Sequence, residues 1–157
     1  LLEEFKGYSF SASAIKNGFK NVIKNTSLMG RWQILSKKPL IVADTGHNEA
    51  GIKEVLKQIK TTPHKKLHIV FGMVNDKDTG KILKMLPQKA QYYFCKAEIP
   101  RALEAKELAK QAFKYGLKGK SYSSVKNAVR VARTKTSLSD LIYIGGSTFV
   151  VAEIENL

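Results

Sequence analysis

The chain has 157 residues, of which 43% are hydrophobic and 25% charged, with a formal net charge of +14 and a single cysteine. This composition is enough for one domain with its own core, and it excludes a wholly disordered chain and any internal disulfide. The longest apolar segment, residues 67–74, is too short to span a bilayer, so we expect no membrane partner. The lone cysteine fits a reducing compartment, and we expect a cytoplasmic protein.

The excess of positive charge raises the question of nucleic-acid binding. Only four of the basic residues are arginines, whose planar fork reads bases and phosphates through paired hydrogen bonds. The lysines are scattered along helix-like segments, and aromatic residues do not interleave with them. The pattern therefore disfavours nucleic acid. It leaves either a solvated lysine surface or a field that attracts small anionic substrates.

The beginning of the chain changes from helical to alternating periodicity. Apolar residues at helical spacing predict a first helix that ends near Asn25, and residues 26–30 have the composition of a linker. Strict alternation then predicts two short strands, residues 32–35 and 40–43, joined by a polar turn. Because that turn is tight, we expect the first strand to run antiparallel to the second, at an edge of a sheet.

Strands and helices alternate along the rest of the chain. The further predicted strands are residues 67–71, 92–95, 119–122 and 141–144. The predicted helices lie around residues 52–59, 82–86, 105–112, 125–132 and 149–154. Alternation of this kind indicates βαβ units. The predicted fold class is therefore α/β: a three-layer Rossmann-like domain with a mostly parallel six-stranded sheet, one antiparallel edge strand and helices on both faces.

Three of the predicted strands end in polar, glycine-containing loops that precede a helix. These loops are Asp44 to Asn48, Gly72 to Asp78, and Gly145 to Thr148. In open parallel sheets, ligands bind at the carboxyl ends of the strands, beside helix amino-termini, so we expect the functional site there. The chain has neither a G-x-G-x-x-G fingerprint nor a G-x-x-x-x-G-K-[ST] phosphate loop. A dinucleotide oxidoreductase is therefore poorly supported.

Five short motifs follow one another in order between residues 7 and 157. They are Gly30-Arg31, Asp44-Thr-Gly-His47-Asn48, Phe71-Gly-Met with Asp76-Lys-Asp78, Pro100-Arg-Ala-Leu103 with Glu107-Leu108, and Gly146-Ser147 with Val151-Ala-Glu153. This set resembles the Gly-Arg and Asp-Gly-Ala-His-Asn signature of folylpolyglutamate and dihydrofolate synthases, which belong to the Mur ligase superfamily. The chain departs from that signature at Thr45-Gly46, which changes the turn before His47.

The resemblance implies an ATP-dependent carboxylate–amine ligase that adds glutamate to folate or dihydropteroate. ATP would phosphorylate a substrate carboxylate, and the amine of glutamate would displace phosphate from the acyl phosphate to form an amide. Mg²⁺ would hold the phosphates. In that family the phosphate loop and the metal ligands belong to an amino-terminal ATPase domain, so we expect no metal ligands in this chain and no activity from it alone.

The resemblance also implies a division of the chain and a wider partner. We expect residues 1–29 to be the tail of the amino-terminal domain and the interdomain linker, and residues 30–157 to be the Mur-ligase-type carboxy-terminal domain. The first residues are acidic, unlike those of a secretory signal. The first residue is not methionine, so we expect part of a longer protein. Its partners would be its own amino-terminal domain, ATP, folate or dihydropteroate, and glutamate.

Four residues are implied as site residues by their positions in the motifs. Arg31 would reach the ATP phosphates and Asp44 would accept hydrogen bonds from the ribose hydroxyls. His47 would pack near adenine or help to position glutamate, in a catalytic or a substrate-binding role, and Ser147 would bind the amino-acid carboxylate. Each also has a structural interpretation: a surface arginine, a turn cap, a histidine held in a tight turn, and a helix N-cap.

Two alternatives to this function stay open. One is a different amide ligase of the Mur superfamily, which only the segment preceding this chain would distinguish. The other, from a different class, is a free-standing basic α/β module that binds nucleic acid, which a salt-dependent gel shift would detect.

Overall fold

The structure, a computed structural model, describes residues 9–26, 28–75 and 78–154. These residues form a six-stranded sheet with helices on both faces. The strands are β1 (Gln33–Lys37), β2 (Leu40–Asp44), β3 (Leu67–Phe71), β4 (Gln91–Phe94), β5 (Gly119–Ser121) and β6 (Leu141–Gly145). The helices are α1 (Ala12–Lys20), α2 (Val22–Thr26), α3 (Glu49–Thr61), α4 (Thr79–Met85), α5 (Ala105–Phe113), α6 (Val125–Thr134) and α7 (Thr148–Ala152).

The strands are arranged in the order β1-β2-β6-β3-β4-β5. Strand β1 pairs antiparallel with β2 at the edge, and every other pairing is parallel. The predicted fold class, including its single antiparallel edge strand, is therefore confirmed. The last strand in the sequence, β6, lies in the middle of the sheet, and all five of its residues are buried.

The side chains of each central strand alternate between two apolar cores. In β3, Ile69 and Phe71 belong to the core under α3, α4 and α5, whereas Val70 belongs to the core under α6 and α7. In β4, Tyr92 and Tyr93 divide in the same way. A strand buried on both faces shows a nearly continuous apolar run in the sequence, and that run predicted β3 with its exact observed bounds.

The predicted first helix is the one element whose continuity was wrong. It forms two helices, α1 and α2, that break at Asn21. The backbone N–H and the side-chain Nδ2 of Asn21 both donate to the carbonyl of Asn17, at 3.0 Å each. An asparagine side chain competes in this way with the regular helical hydrogen bonds, so a helix with no buried residue in the described chain breaks there. The other elements differ from prediction by no more than two residues at either end, except that α3 and α4 each begin three residues earlier than predicted.

Helices α1 and α2 have no buried residue. The large apolar side chains of these helices and of the residues on either side of them are exposed. We call this set the amino-terminal apolar stripe: Phe10, Ile15, Phe19, Ile23, Leu28 and Met29. Burying such side chains is the main source of helix stability in proteins. The two helices therefore contribute little to the stability of the domain.

A buried polar cluster lies at the amino-terminal edge of the sheet, around His68 of β3. The Nδ1 atom of His68 is 3.0 Å from the hydroxyl of Tyr93, and its Nε2 is 3.7 Å from Oδ2 of Asp140. Burial lowers the pKa of His68 below 6.5, and the positive charge of Lys66 acts in the same direction. Desolvation would raise the pKa of Asp140, but hydrogen bonds from Ser137 and Lys66 hold it below its usual value.

The lowered pKa of His68 predicts a loss of stability in mild acid. Between that pKa and about 6.5 the unfolded chain binds more protons than the folded chain, so the free energy of unfolding should decrease as the pH falls through this window. The pKa of Asp140 is lowered from 3.8, so its own protonation lies at more acidic pH. Chemical denaturation from about pH 7.5 to pH 5 should show a flatter pH dependence for His68→Gln than for the parent. Identical slopes would contradict the assignment.

The exposure of α1 and α2 predicts that they are dispensable for folding. A chain that starts at residue 28 should melt within about 2 °C of the parent, because the truncation removes no buried side chain of the described residues. In the parent, amide hydrogens of α1 should exchange much faster than those of β3. Equal protection of the two elements, or a large fall in melting temperature, would show that α1 belongs to the core.

Candidate functional site

The carboxyl ends of the parallel strands form one edge of the sheet, the carboxyl edge. Asp44 at the end of β2 is in register with Gly145 of β6, and Gly145 is in register with Phe71 of β3. Phe71 in turn aligns with Phe94 of β4. The three polar loops that follow β2, β3 and β6 therefore start side by side, at the edge where the sequence placed the functional site.

The segment before β1 is fastened to the turn after β2. The backbone N–H and the hydroxyl of Thr45 both donate to the carbonyl oxygen of Gly30, at 2.8 and 3.0 Å. The guanidinium of Arg31 donates from Nη1 to the hydroxyl oxygen of Thr45 at 3.0 Å. Gly30 has a φ of 71°, and a Cβ there would lie 2.5 Å from Cγ2 of Thr45. Only glycine fits this close approach.

Asp44 holds the same two segments together through its carboxylate. Its Oδ2 accepts from the backbone N–H of Trp32, and its Oδ1 accepts from that of Gly46, both at 2.7 Å. Trp32 has a φ of 42°, a strained conformation for a residue other than glycine. Asp44 is 7% exposed. The carboxylate of Asp44 thus caps the turn, which is the structural interpretation that the sequence left open. Each of its oxygens has a second lone pair that could accept a hydrogen bond from a ligand.

The residue beneath this turn is Tyr143 of β6. Its hydroxyl is 3.4 Å from the carbonyl oxygen of Asp44, to which it donates, and burial raises its pKa far above the ordinary value. A Cβ at Gly145 would lie 2.1 Å from that hydroxyl oxygen. The glycine at the end of β6 therefore leaves the space in which the tyrosine supports the backbone of Asp44.

His47 and Ser147 lie at the same edge, and each side chain forms a hydrogen bond with a nearby backbone group. Nδ1 of His47 is 2.9 Å from the carbonyl oxygen of Thr45. A carbonyl oxygen only accepts, so Nδ1 carries the proton and Nε2 of the neutral ring is an acceptor. Ser147 is buried, and its Oγ accepts from the backbone N–H of Phe149 at 3.2 Å as the N-cap of α7.

The predicted cap of α3 is also present, since Oδ1 of Asn48 accepts from the backbone N–H of Gly51 at 2.8 Å. In the loop after β3, Asp76 and Lys77 fall outside the described residues. Asp78 caps α4 by accepting from the backbone N–H of Lys81 at 3.3 Å. The loops after β2 and β3 thus each deliver a capped helix amino-terminus.

Sequence reasoning did not single out Arg101 or Thr45. The guanidinium of Arg101 lies 4.9 Å above the ring of Phe149, in the first turn of α7, a cation–π contact beside Ser147. Arg101 occurs in the Pro100-Arg motif, and that position was the available signal. Thr45 replaces a small residue of the family signature, and its hydroxyl now links Arg31 to Gly30.

Two general findings limit the chemistry of the described residues. Among them, no three His, Cys, Asp or Glu side chains are grouped so as to hold a metal ion. None of the described helices is both long enough and apolar enough to cross a membrane.

The chain is similar to known ligases. Residues 30–148 match the family described as Mur ligase, glutamate ligase domain. A relative from Haloferax volcanii, named as a probable bifunctional folylpolyglutamate synthase/dihydropteroate synthase, is 31% identical over 144 residues. That match covers 90% of this chain and 17% of the relative, so the chain spans less than a fifth of the relative's length.

Solved structures share the fold over nearly all of the chain. E. coli FolC in complex with DHPP and ADP is 28% identical with a TM-score of 0.84, and the match covers 96% of this chain and 35% of that chain. A bifunctional folylpolyglutamate synthase/dihydrofolate synthase with Mn, AMPPNP and L-glutamate bound is 27% identical with a TM-score of 0.81, at the same two coverages. The chain thus corresponds to about a third of each of those proteins.

The contacts of Asp44 predict that it stabilises the fold. Asp44→Asn replaces one carboxylate oxygen by an NH₂ group. This group is a donor, so it cannot accept the hydrogen bond from the backbone N–H of Trp32 or Gly46. Losing a buried, charge-assisted hydrogen bond should lower the free energy of unfolding by about 1.5–3 kcal/mol. The matched control is Asp78→Asn, an exposed cap whose change should cost less than about 0.5 kcal/mol. Urea denaturation measures both, and equal small effects would show that Asp44 does not hold the turn.

Proposed function

The chain belongs to the Mur ligase family through its glutamate ligase domain, and from this premise we propose that it is the carboxy-terminal domain of an ATP-dependent ligase that adds glutamate to folate or dihydropteroate. The observation that carries the proposal is the clamp between the Gly30-Arg31 segment and the Asp44-Thr45 turn, at the carboxyl edge of the sheet. The names of the similar proteins support the choice of substrates.

The reaction requires a second domain, and the apolar stripe supports its place. Residues 1–29 would be the tail of an amino-terminal ATPase domain and the interdomain linker, and residues 30–157 would be the ligase domain. The family match begins at residue 30. The stripe residues, from Phe10 to Met29, are exposed in the described chain, and the proposed domain would cover them. We propose the cytoplasm as the location, where ATP and folates are available.

Arg31 is the proposed contact to ATP. It is exposed at the carboxyl edge, and the one hydrogen bond seen for its guanidinium within the described residues goes to Thr45. No carboxylate of those residues lies within ion-pair distance of it, so its charge is not neutralised there. A permanently charged fork held through one terminal nitrogen by Thr45 keeps its other N–H donors for the phosphates of a nucleotide bound to the other domain.

The other site residues complete the proposal. The outward lone pairs of Asp44 would accept from the ribose hydroxyls of ATP, while the carboxylate keeps Arg31 in position through the turn. His47 would contact adenine or help to position glutamate. Ser147, the N-cap of the helix whose Phe149 ring contacts Arg101, would bind the carboxylate of glutamate. Mg²⁺ would neutralise the phosphates when bound, and its ligands would come from the other domain.

The proposal predicts that Arg31 is needed for the use of ATP in the full-length enzyme. Arg31→Ala should lower kcat/KM for ATP about ten- to a hundredfold, the effect of losing roughly 1.5–3 kcal/mol of charge-assisted hydrogen bonding. Arg31→Lys keeps the charge without the fork, so its kcat/KM for ATP should lie between those of Arg31→Ala and the parent. Because Arg31 is exposed, neither variant should change the melting temperature appreciably.

The matched control is Arg130→Ala. Arg130 is an exposed arginine of α6, and its guanidinium donates to Asn127 one turn earlier. This change removes the same charge and should leave kcat/KM for ATP within about twofold of the parent. Equal activity of the Arg31 and Arg130 variants would remove Arg31 from the nucleotide site.

A further inference from the structure

A cleft of about 980 Å³ lies at the amino-terminal edge of the sheet, opposite the proposed ligase site. It is bordered by the starts of β3 and β4 and by the ends of α3 and α4. Its apolar lining includes Leu56, Ile59, Leu67, Met85 and Tyr93. This volume is at the upper end of the range for small-molecule sites.

The rim of the cleft is strongly cationic. Six lysines line it, namely Lys60, Lys65, Lys66, Lys89, Lys118 and Lys135, and no aspartate or glutamate is among its lining residues. All six are exposed, and none forms an ion pair with another described residue. Like charges around one concave surface repel each other and concentrate a positive field in it, which a bound anion relieves.

The floor of the cleft contains a buried polar group without a hydrogen-bond partner. His68 lines the cleft and is 4% exposed, and within the described chain its Nε2 has no hydrogen-bond partner. The nearest carboxylate oxygen, on Asp140, is 3.7 Å away, beyond hydrogen-bond reach, and Asp140 is already satisfied by Ser137 and Lys66. A buried unsatisfied nitrogen is uncommon and indicates a missing partner.

We propose that this cleft binds a small polyanion with an apolar or aromatic body, whose carboxylate or phosphate groups meet the lysine rim. The apolar lining would contact the body of the ligand. The lysines, which no carboxylate among the lining residues neutralises, would attract at least two negative groups. Nucleic acid fits less well, because the rim has no arginine and its one aromatic lining residue, Tyr93, is only 1% exposed and cannot stack on a base. The site is independent of the ligase site at the other edge.

The test is calorimetric titration of the full-length protein at physiological salt with four probes. Benzoyl-capped tetraglutamate and inorganic tripolyphosphate represent the carboxylate and phosphate sources. Acetyl-capped tetraglutamate lacks the aromatic body, and a short single-stranded DNA represents nucleic acid. The double variant Lys66→Gln/Lys89→Gln removes two rim charges, and Lys110→Gln/Lys126→Gln removes two exposed lysines from outside the cleft. All four positions are on the surface, so folding, checked by melting, should be retained.

Of benzoyl-capped tetraglutamate and tripolyphosphate, we expect the one that binds more tightly to lose affinity about five- to thirtyfold in the rim variant. The control variant should change the same affinity less than about twofold. Whichever of tetraglutamate and tripolyphosphate binds more tightly identifies the head group, and the benzoyl cap should improve binding over the acetyl cap. Equal losses in the two variants would mean diffuse attraction to a basic surface, and no loss in either would mean that the cleft is not the site. Rim-dependent binding of the DNA alone would make it a nucleic-acid cleft. Each of these three results overturns the proposal.

Discussion

The carboxylate of Asp44 is the group on which the candidate site depends. A buried carboxylate is costly unless hydrogen bonds compensate for the lost water, and here two backbone N–H groups do so. These bonds hold Trp32 in its strained conformation and keep the Gly30-Arg31 segment against the turn after β2. Arg31 therefore projects from a rigid base. A flexible chain would have to lose conformational freedom before the same side chain could bind a phosphate.

The two edges of the sheet differ in the way they are built. At the carboxyl edge, glycines, helix caps and a supporting tyrosine bring backbone groups close together beside the exposed Arg31. In the proposed function that edge is half of a site, which a second domain would complete. At the amino edge, lysines line an open cleft whose other lining residues include apolar side chains and the buried His68. Because the sheet separates the two edges, a ligand at one does not occupy the space of the other.

The sequence by itself determined the elements and much of the local chemistry. Alternating and helical periodicities predicted six strands and the helices that link them, because burial on one or two faces leaves a pattern within each segment. The cap of α3 by Asn48 was predictable for the same reason, since the cap and its partner lie within one turn. The motif order also predicted that Arg31 and Asp44 belong to one site, and the hydrogen bonds through Thr45 and Trp32 bring them to the same turn.

Only the tertiary structure decided the features that join distant parts of the chain. No local pattern indicates that β6 inserts between β2 and β3, or that His68 lies beside Asp140. The break at Asn21 likewise reflects missing tertiary packing, because an apolar helical face has the same periodicity whether or not a partner covers it. The lysine cleft is the clearest case: its six lysines are scattered in the sequence, and only the folding of the sheet brings their charges around one cavity. Spacing along the chain reports local geometry, whereas charge density depends on distances in space.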